Sequence, residues 1–333
     1  ISTNLSMKNV FLLIGFCLLT LKGFAQEQTS ASDSIQLSPE LYFKLLAEKF
    51  SQTRKLDVSY STLGRTKFKT YLKETYVGEN QIDHTQEVRV NLNYNLVQKQ
   101  RWKLTYSGYY NYQGYHYDAT NDFDLDSDLH YISSTLSFTY FSTLFKKPIV
   151  YNASLITDAS GEMFGRVKGL IAVSYILKAD KKSRMGLGII ASIDPTNTFP
   201  VIPVFSYTKP VFNDRWRIDL VLPIKAMLQR QLGDTGRISI GSEIDITDTY
   251  IKTNRIIPTA NKFEYRQTNV KSGVTYEYLL KNKIVLYAKA GVLNAIRSRI
   301  SKKGDSFSND NYILEFKPSS TPYFNIGVSF NPF

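Results

Sequence analysis

Tyr323–Phe333 reads YFNIGVSFNPF. Phe324, Ile326, Val328 and Phe330 fall on one face of a strand, and Asn325, Gly327, Ser329 and Asn331 on the other, because side chains alternate along a strand. In a water-soluble β-protein the apolar face would cover a core. In a closed barrel in a membrane it would turn to lipid, with the polar face toward a lumen. The patterning of the remaining chain decides between the two.

Working back from that stretch, the period of 2 persists to residue 54. Val88, Val90, Leu92, Tyr94 and Leu96 alternate with Glu87, Arg89, Asn91, Asn93 and Asn95, and Trp102, Leu104 and Tyr106 with Lys103, Thr105 and Ser107. Trp216, Ile218, Leu220, Leu222, Ile224 and Leu228 face away from Arg217, Asp219 and Lys225, while Ile238, Ile240, Ile244 and Ile246 face away from Arg237, Glu243 and Asp245. Val270, Val274, Tyr276 and Tyr278 oppose Lys271 and Glu277. Across these segments the apolar face carries no charge while the other carries both signs. Lipid imposes that restriction, since a cation at the bilayer midplane costs roughly 2–4 kcal/mol on such a strand. A soluble sandwich would also keep its inner face free of charge, but these runs exceed the roughly 5–6 residues usual in globular sheets. They suit the about 9–11 residues that a tilted membrane strand needs.

Composition agrees. The 333 residues include 23 Tyr and 20 Phe against 2 Trp, which favours strands. A mean hydropathy of −0.23 excludes a bundle of membrane helices but not a barrel with a polar interior. Met7-Lys8-Asn9, the apolar run Val10–Leu21 and the small residues of Gly23-Phe24-Ala25 read as an export leader over 1–25. Cleavage would remove Cys17, the one cysteine, and with it disulfides, thiol chemistry and cysteine metal sites. The remaining chain is basic, yet export and the lack of a nucleic-acid motif argue against a nucleic-acid partner. No zinc-type histidine spacing, phosphate loop or dinucleotide fingerprint is present, so no cofactor and no enzyme activity are expected.

The expected organisation is a leader over 1–25, a periplasmic segment over 26–53 and a barrel over 54–333. Ser38-Pro39-Glu40 followed by Leu41, Leu45 and Leu46 predicts a short helix over 39–50. Short connections near 98–100, 143–147, 179–183, 210–214 and 280–282 alternate with longer ones, 64–84, 117–128 and 297–319, as periplasmic turns alternate with outer loops. Both ends on one side require an even strand number. The fold expected is all-β, an antiparallel up-and-down transmembrane barrel of twelve to fourteen strands, with fourteen reached if Tyr250–Ile257 forms its own strand. Pro203 and Pro223, inside strand segments, predict bulges.

The leader ending FAQ (24–26), the strand WRIDLVLPIKAML (216–228), the following RISIGSEIDIT (237–247) and the aromatic-terminated last strand resemble uncharacterised outer-membrane β-barrel families of Gram-negative bacteria. The resemblance covers roughly 54–333 and lies in amphipathic patterns. It implies outer-membrane lipid and lipopolysaccharide as surroundings, and a last strand whose Phe330 and Phe333 are read by the barrel-assembly machinery. It transfers no reaction and no functional residue.

Four constellations could carry function. The polar face places Glu87, Arg89, Lys103, Arg217, Asp219, Lys225, Arg237, Glu243, Asp245, Lys271, Glu277 and Lys289 toward the lumen. They form either a neutralised filling or a charged constriction that passes or captures a small hydrophilic solute; a closed barrel serving as an envelope scaffold or partner-binding protein is the alternative. Asp122, Asp124, Asp126 and Asp128 alternate in one loop and could face a hard cation such as Ca²⁺. His130 with Ser133 and Ser134 nearby is the only hint of a hydrolase, and no nucleophile-elbow glycines surround it. Tyr106, Tyr109, Tyr110, Tyr112, Tyr115 and Tyr117 read as an interface girdle, or as a sugar platform.

Overall fold

Alternation is realised with the polar side inward. The computed structural model describes residues 54–117, 128–161, 163–180, 182–197, 200–257, 260–281, 283–305 and 311–330. The leader, the 39–50 helix, Asp122, Asp124, Asp126 and Phe333 lie outside them. Among the described residues every regular element is a strand: β1 (Leu56–Leu63), β2 (Thr66–Leu72), β3 (Thr75–Gln98), β4 (Trp102–Tyr117), β5 (Asp128–Leu144), β6 (Lys147–Ser160), β7 (Met163–Ala179) and β8 (Arg184–Ile193). There follow β9 (Val201–Val211), β10 (Trp216–Leu222), β11 (Lys225–Leu232), β12 (Gly236–Ile257), β13 (Ala260–Leu280), β14 (Ile284–Lys302), β15 (Tyr312–Pro318) and β16 (Thr321–Phe330).

Neighbours pair antiparallel in chain order. The sheet closes because β1 pairs with both β3 and β16 while β2 pairs with both β3 and β15. Since β1 with β2, and β15 with β16, are halves of single interrupted strands, the sixteen elements make a closed barrel of fourteen strands. Closure runs Leu56↔Phe330, Val58↔Val328, Tyr60↔Ile326 and Thr62↔Phe324.

Burial is the reverse of a soluble protein's. Phe324, Ile326, Val328 and Phe330 are 41–47% exposed, while Asn325 and Ser329 are 8% and 1%. Around the wall Leu92, Ile132, Leu155, Ile171, Leu187, Ile240 and Leu286 are exposed, and Glu87, Asp158, Asp219 and Glu277 are buried. An apolar outside around a charged inside is stable only where the outside meets lipid. Arg230, exposed near the lower rim, is an exception that stacks its guanidinium over Trp216 at 5.6 Å.

The fourteenth strand comes from an unexpected place. Pro223 marks no bulge: Val221-Leu222-Pro223-Ile224 turns the chain, with Ile224 N–H donating to Val221 C=O, and divides 216–228 into β10 and β11. Tyr250–Ile257 is the upper part of β12 rather than a strand of its own. Pro203 marks no bulge either: it sits in β9 opposite Ile189 in unbroken register, past the point where β10 ends by pairing Leu222 with Phe205, so its missing N–H costs no ladder bond to β10. The segments 64–84 and 297–319 are mostly strand, belonging to β2 and β3 and to β14 and β15.

Taking the end that holds Arg54 and Phe330 as the lower one, the wall is uneven. β8 to β11 have 7–11 residues, whereas β12, β13 and β14 have 22, 21 and 19. Pairing of β11 to β12 stops at Lys225↔Glu243, and of β7 to β8 at Gly169↔Ile193. Above those points the tops of β12 to β14 roll inward, so that β12 meets β5, β6 and β7. Asp248 and Tyr250, in line with the exposed Ile246 below them, thereby face the inner surface of β6 and β7.

At the base of the roll three glycines stand in one register, Gly241↔Gly273↔Gly291. A Cβ on Gly273 would fall 2.2 Å from the carbonyl oxygen of Ala290, and one on Gly291 2.0 Å from that of Ser272. Strands can curve this tightly where no side chain stands between them. Gly273→Val is expected to destabilise the barrel by about 1–3 kcal/mol in urea unfolding. Gly78→Ala, where a Cβ meets nothing within 4 Å, should leave the midpoint unchanged; equal effects would contradict the crowding described.

Candidate functional site: the charged lumen

Period-2 alternation delivers the inward charges, and the roll decides which meet. On β3, Glu87 and Arg89 project two residues apart on the inner face. Asp245 on β12 and Lys271 on β13 approach from the far wall. Arg89 donates to both carboxylate oxygens of Asp245 at 2.7 and 2.8 Å and to Glu87 at 2.7 Å. Lys271 Nζ lies 2.8 Å from Asp245 and 3.9 Å from Glu87. Because β3 and β12 are not neighbours in the sheet, this four-membered belt crosses the lumen. The fork of the guanidinium matches the carboxylate, which fixes the direction of the crossing.

Below the belt, Arg237 pairs with Glu277 at 2.6 Å, directly across β12 and β13, and Arg54 reaches Glu277 and Asp57. Lys289 on β14 reaches Glu243 on β12 at 2.9 Å. Lys225 meets Asp219 at 2.6 Å across the β10–β11 hairpin, on two strands rather than the one that the sequence suggests. Apart from Asp219, these groups line, with Asn91, Asn93 and Tyr287, a polar cavity of about 430 Å³. Arg217 and Lys103 occupy inward positions on β10 and β4, nearer the lower rim. Above the belt, a second cavity of about 120 Å³ lies under a cap of buried apolar residues that includes Phe68, Ile251, Phe263, Ile300 and Phe316.

Sequence reasoning passed over the seam that holds the roll in place. Arg166 binds Asp194 at 3.1 Å and pairs with the fully buried Glu264. Lys168 binds Asp158 at 2.7 Å, Arg266 binds Asp248 at 2.6 Å, and the Tyr250 hydroxyl donates to Asp158 at 3.0 Å. Lys303, just past β14, reaches the Phe164 carbonyl on β7, and burial with the nearby Lys262 and Arg166 cations lowers its pKa. Alternation alone places Asp248, Glu264 and Arg266 toward lipid, so the only hint was charge at outward positions.

Two further expectations fail on geometry. His130 and Ser133 project from opposite faces of β5, since Ile132, Leu136 and Phe138 outside set the parity, and His130 Nδ1 bonds the Tyr110 hydroxyl at 2.9 Å. Ser134, on the same face as His130, lies about 13 Å along the strand and donates to Tyr106. The tyrosines divide likewise: Tyr106, Tyr110 and Tyr112 face outward, whereas Tyr115 and Tyr117 line the upper cavity. Among the described residues no group of three or more His, Cys, Asp or Glu is placed to hold a metal ion. Asp128 accepts a hydrogen bond from Tyr112 at 2.5 Å.

No protein-family model and no curated protein matches the chain. Solved structures similar to it include a Pseudomonas aeruginosa FadL homologue, at 8% identity over 85% of this chain and 91% of that one, with a TM-score of 0.42. An outer-membrane channel from Pseudomonas putida F1 follows at 10% identity, 85% and 98% coverage and a TM-score of 0.37. The KdgM porin, in complex with disordered oligogalacturonate, shows 6% identity, 83% and 99% coverage and a TM-score of 0.32. At such values the fold of this chain rests on its own strand pairing.

The belt generates a test by double-mutant cycle. Arg89→Met leaves the buried Glu87 and the half-buried Asp245 short of a partner and should cost about 3–5 kcal/mol. Adding Asp245→Asn should cost less than the sum of the single changes by on the order of 1 kcal/mol or more. Urea unfolding of the barrel in lipid vesicles reads both, and strict additivity would refute the cross-lumen bond.

Proposed function

We propose that this barrel sits in the outer membrane of a Gram-negative bacterium and is a channel or binding protein for a small hydrophilic solute. The observation that carries this reading is the Arg89–Asp245 bridge, which crosses the lumen between two cavities. A simple filling would pack side chains on both sides of such a bridge; here about 430 Å³ of polar space lies below it. The wall of that space carries both charge signs, with Arg54, Lys225, Arg237 and Lys289 against Asp57, Glu243 and Glu277. It suits a neutral polar or zwitterionic solute better than one of high net charge. Passage needs the belt to part and the apolar cap above it to move, which makes the described state the closed one.

That cap favours a second reading, a permanently closed barrel acting as an envelope scaffold or holding a partner protein. Single-channel recording in planar bilayers separates the two. The wild type is expected to give small discrete current steps, and the Arg89→Ala/Asp245→Ala double variant larger ones with altered ion selectivity. An unbroken seal with both proteins would rule out the channel.

A further inference from the structure

We infer that the outer wall at the lower rim binds the headgroup of an anionic phospholipid, of the phosphatidylglycerol class, through Lys209, Arg215 and Arg230 around Trp216. Lys209 stands opposite Ile218 across β9 and β10, so it shares the lipid-facing side of the wall. Pairing of β10 with β11 reaches Arg217↔Gln229, which brings Arg230 beside Trp216 on that same side, one side-chain step lower. Two strand spacings and that step put the Cα atoms of Lys209 and Arg230 roughly 12 Å apart. Both side chains are exposed, and both are long enough to close on one phosphate between them. Arg215, also exposed, lies in the β9–β10 turn just below.

These cations differ from those inside the barrel in having no acid. Arg89, Lys225, Arg237, Lys271 and Lys289 each meet a carboxylate, whereas among the described residues Lys209, Arg215 and Arg230 have no ion pair. Asp219, the acid of β10, points inward to Lys225, and Asp214 in the turn is taken by Lys182 at 2.5 Å. Asp234, in the β11–β12 turn, has a contact of its own. An unpaired cation on a lipid-facing strand is tolerated near the headgroups, where a phosphate oxygen takes the place of a carboxylate. Trp216 fixes one of the donors, since the Arg230 guanidinium lies over its ring at 5.6 Å and keeps its N–H groups for an acceptor. The headgroup favoured carries net negative charge. Phosphatidylethanolamine brings its own ammonium, which three cations repel; phosphatidylglycerol presents the same phosphate with hydroxyls only.

The site is on the outside of the wall and is independent of any solute path through the lumen. Its test uses Trp216 as the reporter. Trp102→Phe leaves Trp216 as the single tryptophan of the full chain, and its fluorescence is quenched in bilayers by phospholipids with brominated acyl chains. Competition between brominated and plain lipids gives the binding of each headgroup relative to phosphatidylcholine. Expected is a preference of at least about fivefold for phosphatidylglycerol, with phosphatidylethanolamine near unity. Lys209→Gln, which leaves the stack on Trp216 in place, should lower that preference at least about twofold, and Lys209→Gln/Arg230→Gln should bring it to about one. Inorganic phosphate at matched ionic strength should not compete, as a free anion lacks the acyl chains that hold the headgroup at this depth. Equal quenching by all three lipids would overturn the site, as would a preference unchanged in the double variant or one abolished by inorganic phosphate. No quenching by any of them would overturn the lipid-facing placement of Trp216 as well.

Discussion

Backbone N–H and C=O groups in lipid have no water to bond, so a sheet there must close on itself. Here the pairing of Leu56–Leu63 with Tyr323–Phe330 makes that closure, and it explains why both strands keep strict alternation along their length. Gly327 shows how tightly the seam is built, since a Cβ there would sit 2.3 Å from the Tyr287 ring. The Tyr287 hydroxyl in turn donates to Asp57 at 3.0 Å, tying β14 to β1 from inside the lumen.

The low wall of β8 to β11 creates a second problem of the same kind. Above it β7 and β12 have lost their neighbours, and two bare edges at membrane height would be costly. The chain meets the cost by overlapping the edges. Asp158 accepts from the Arg166 N–H at the bulge in β6–β7 pairing, and Ser160 Oγ accepts from the Tyr250 N–H. Side chains thus replace ladder bonds, and the price is a set of buried ions that must all be paired. The glycine register makes the overlap geometrically possible, and the overlap brings the β12 carboxylates within reach of Arg89.

The parts of this fold that depend on nearest neighbours in sequence were legible. Below the roll, alternation identified which residues face in, the apolar face free of charge identified lipid as the surroundings, and parity required an even strand number, twelve or fourteen. The error at Pro223 is instructive: WRIDLVLPIKAML keeps a period of 2 straight through the turn, so periodicity could not reveal the break, and only the proline could. The belt was legible as a set of inward residues but not as a constellation, because Arg89 and Asp245 are 156 positions apart and meet only through the roll. Gly241, Gly273 and Gly291 look unrelated in the sequence until register aligns them. The upper cavity was out of reach for the same reason, since its walls come from many strands.

The central claim, that the apolar face of the last strand meets lipid and its polar face a lumen, can be measured residue by residue. Nitroxide labels on single cysteines at 324, 325, 326, 328, 329 and 330, in protein reconstituted into bilayers, report oxygen and water-soluble relaxant accessibility separately. High oxygen accessibility at 324, 326, 328 and 330 with low values at 325 and 329 is the predicted result. Uniform accessibility along the strand, or the opposite alternation, would contradict it.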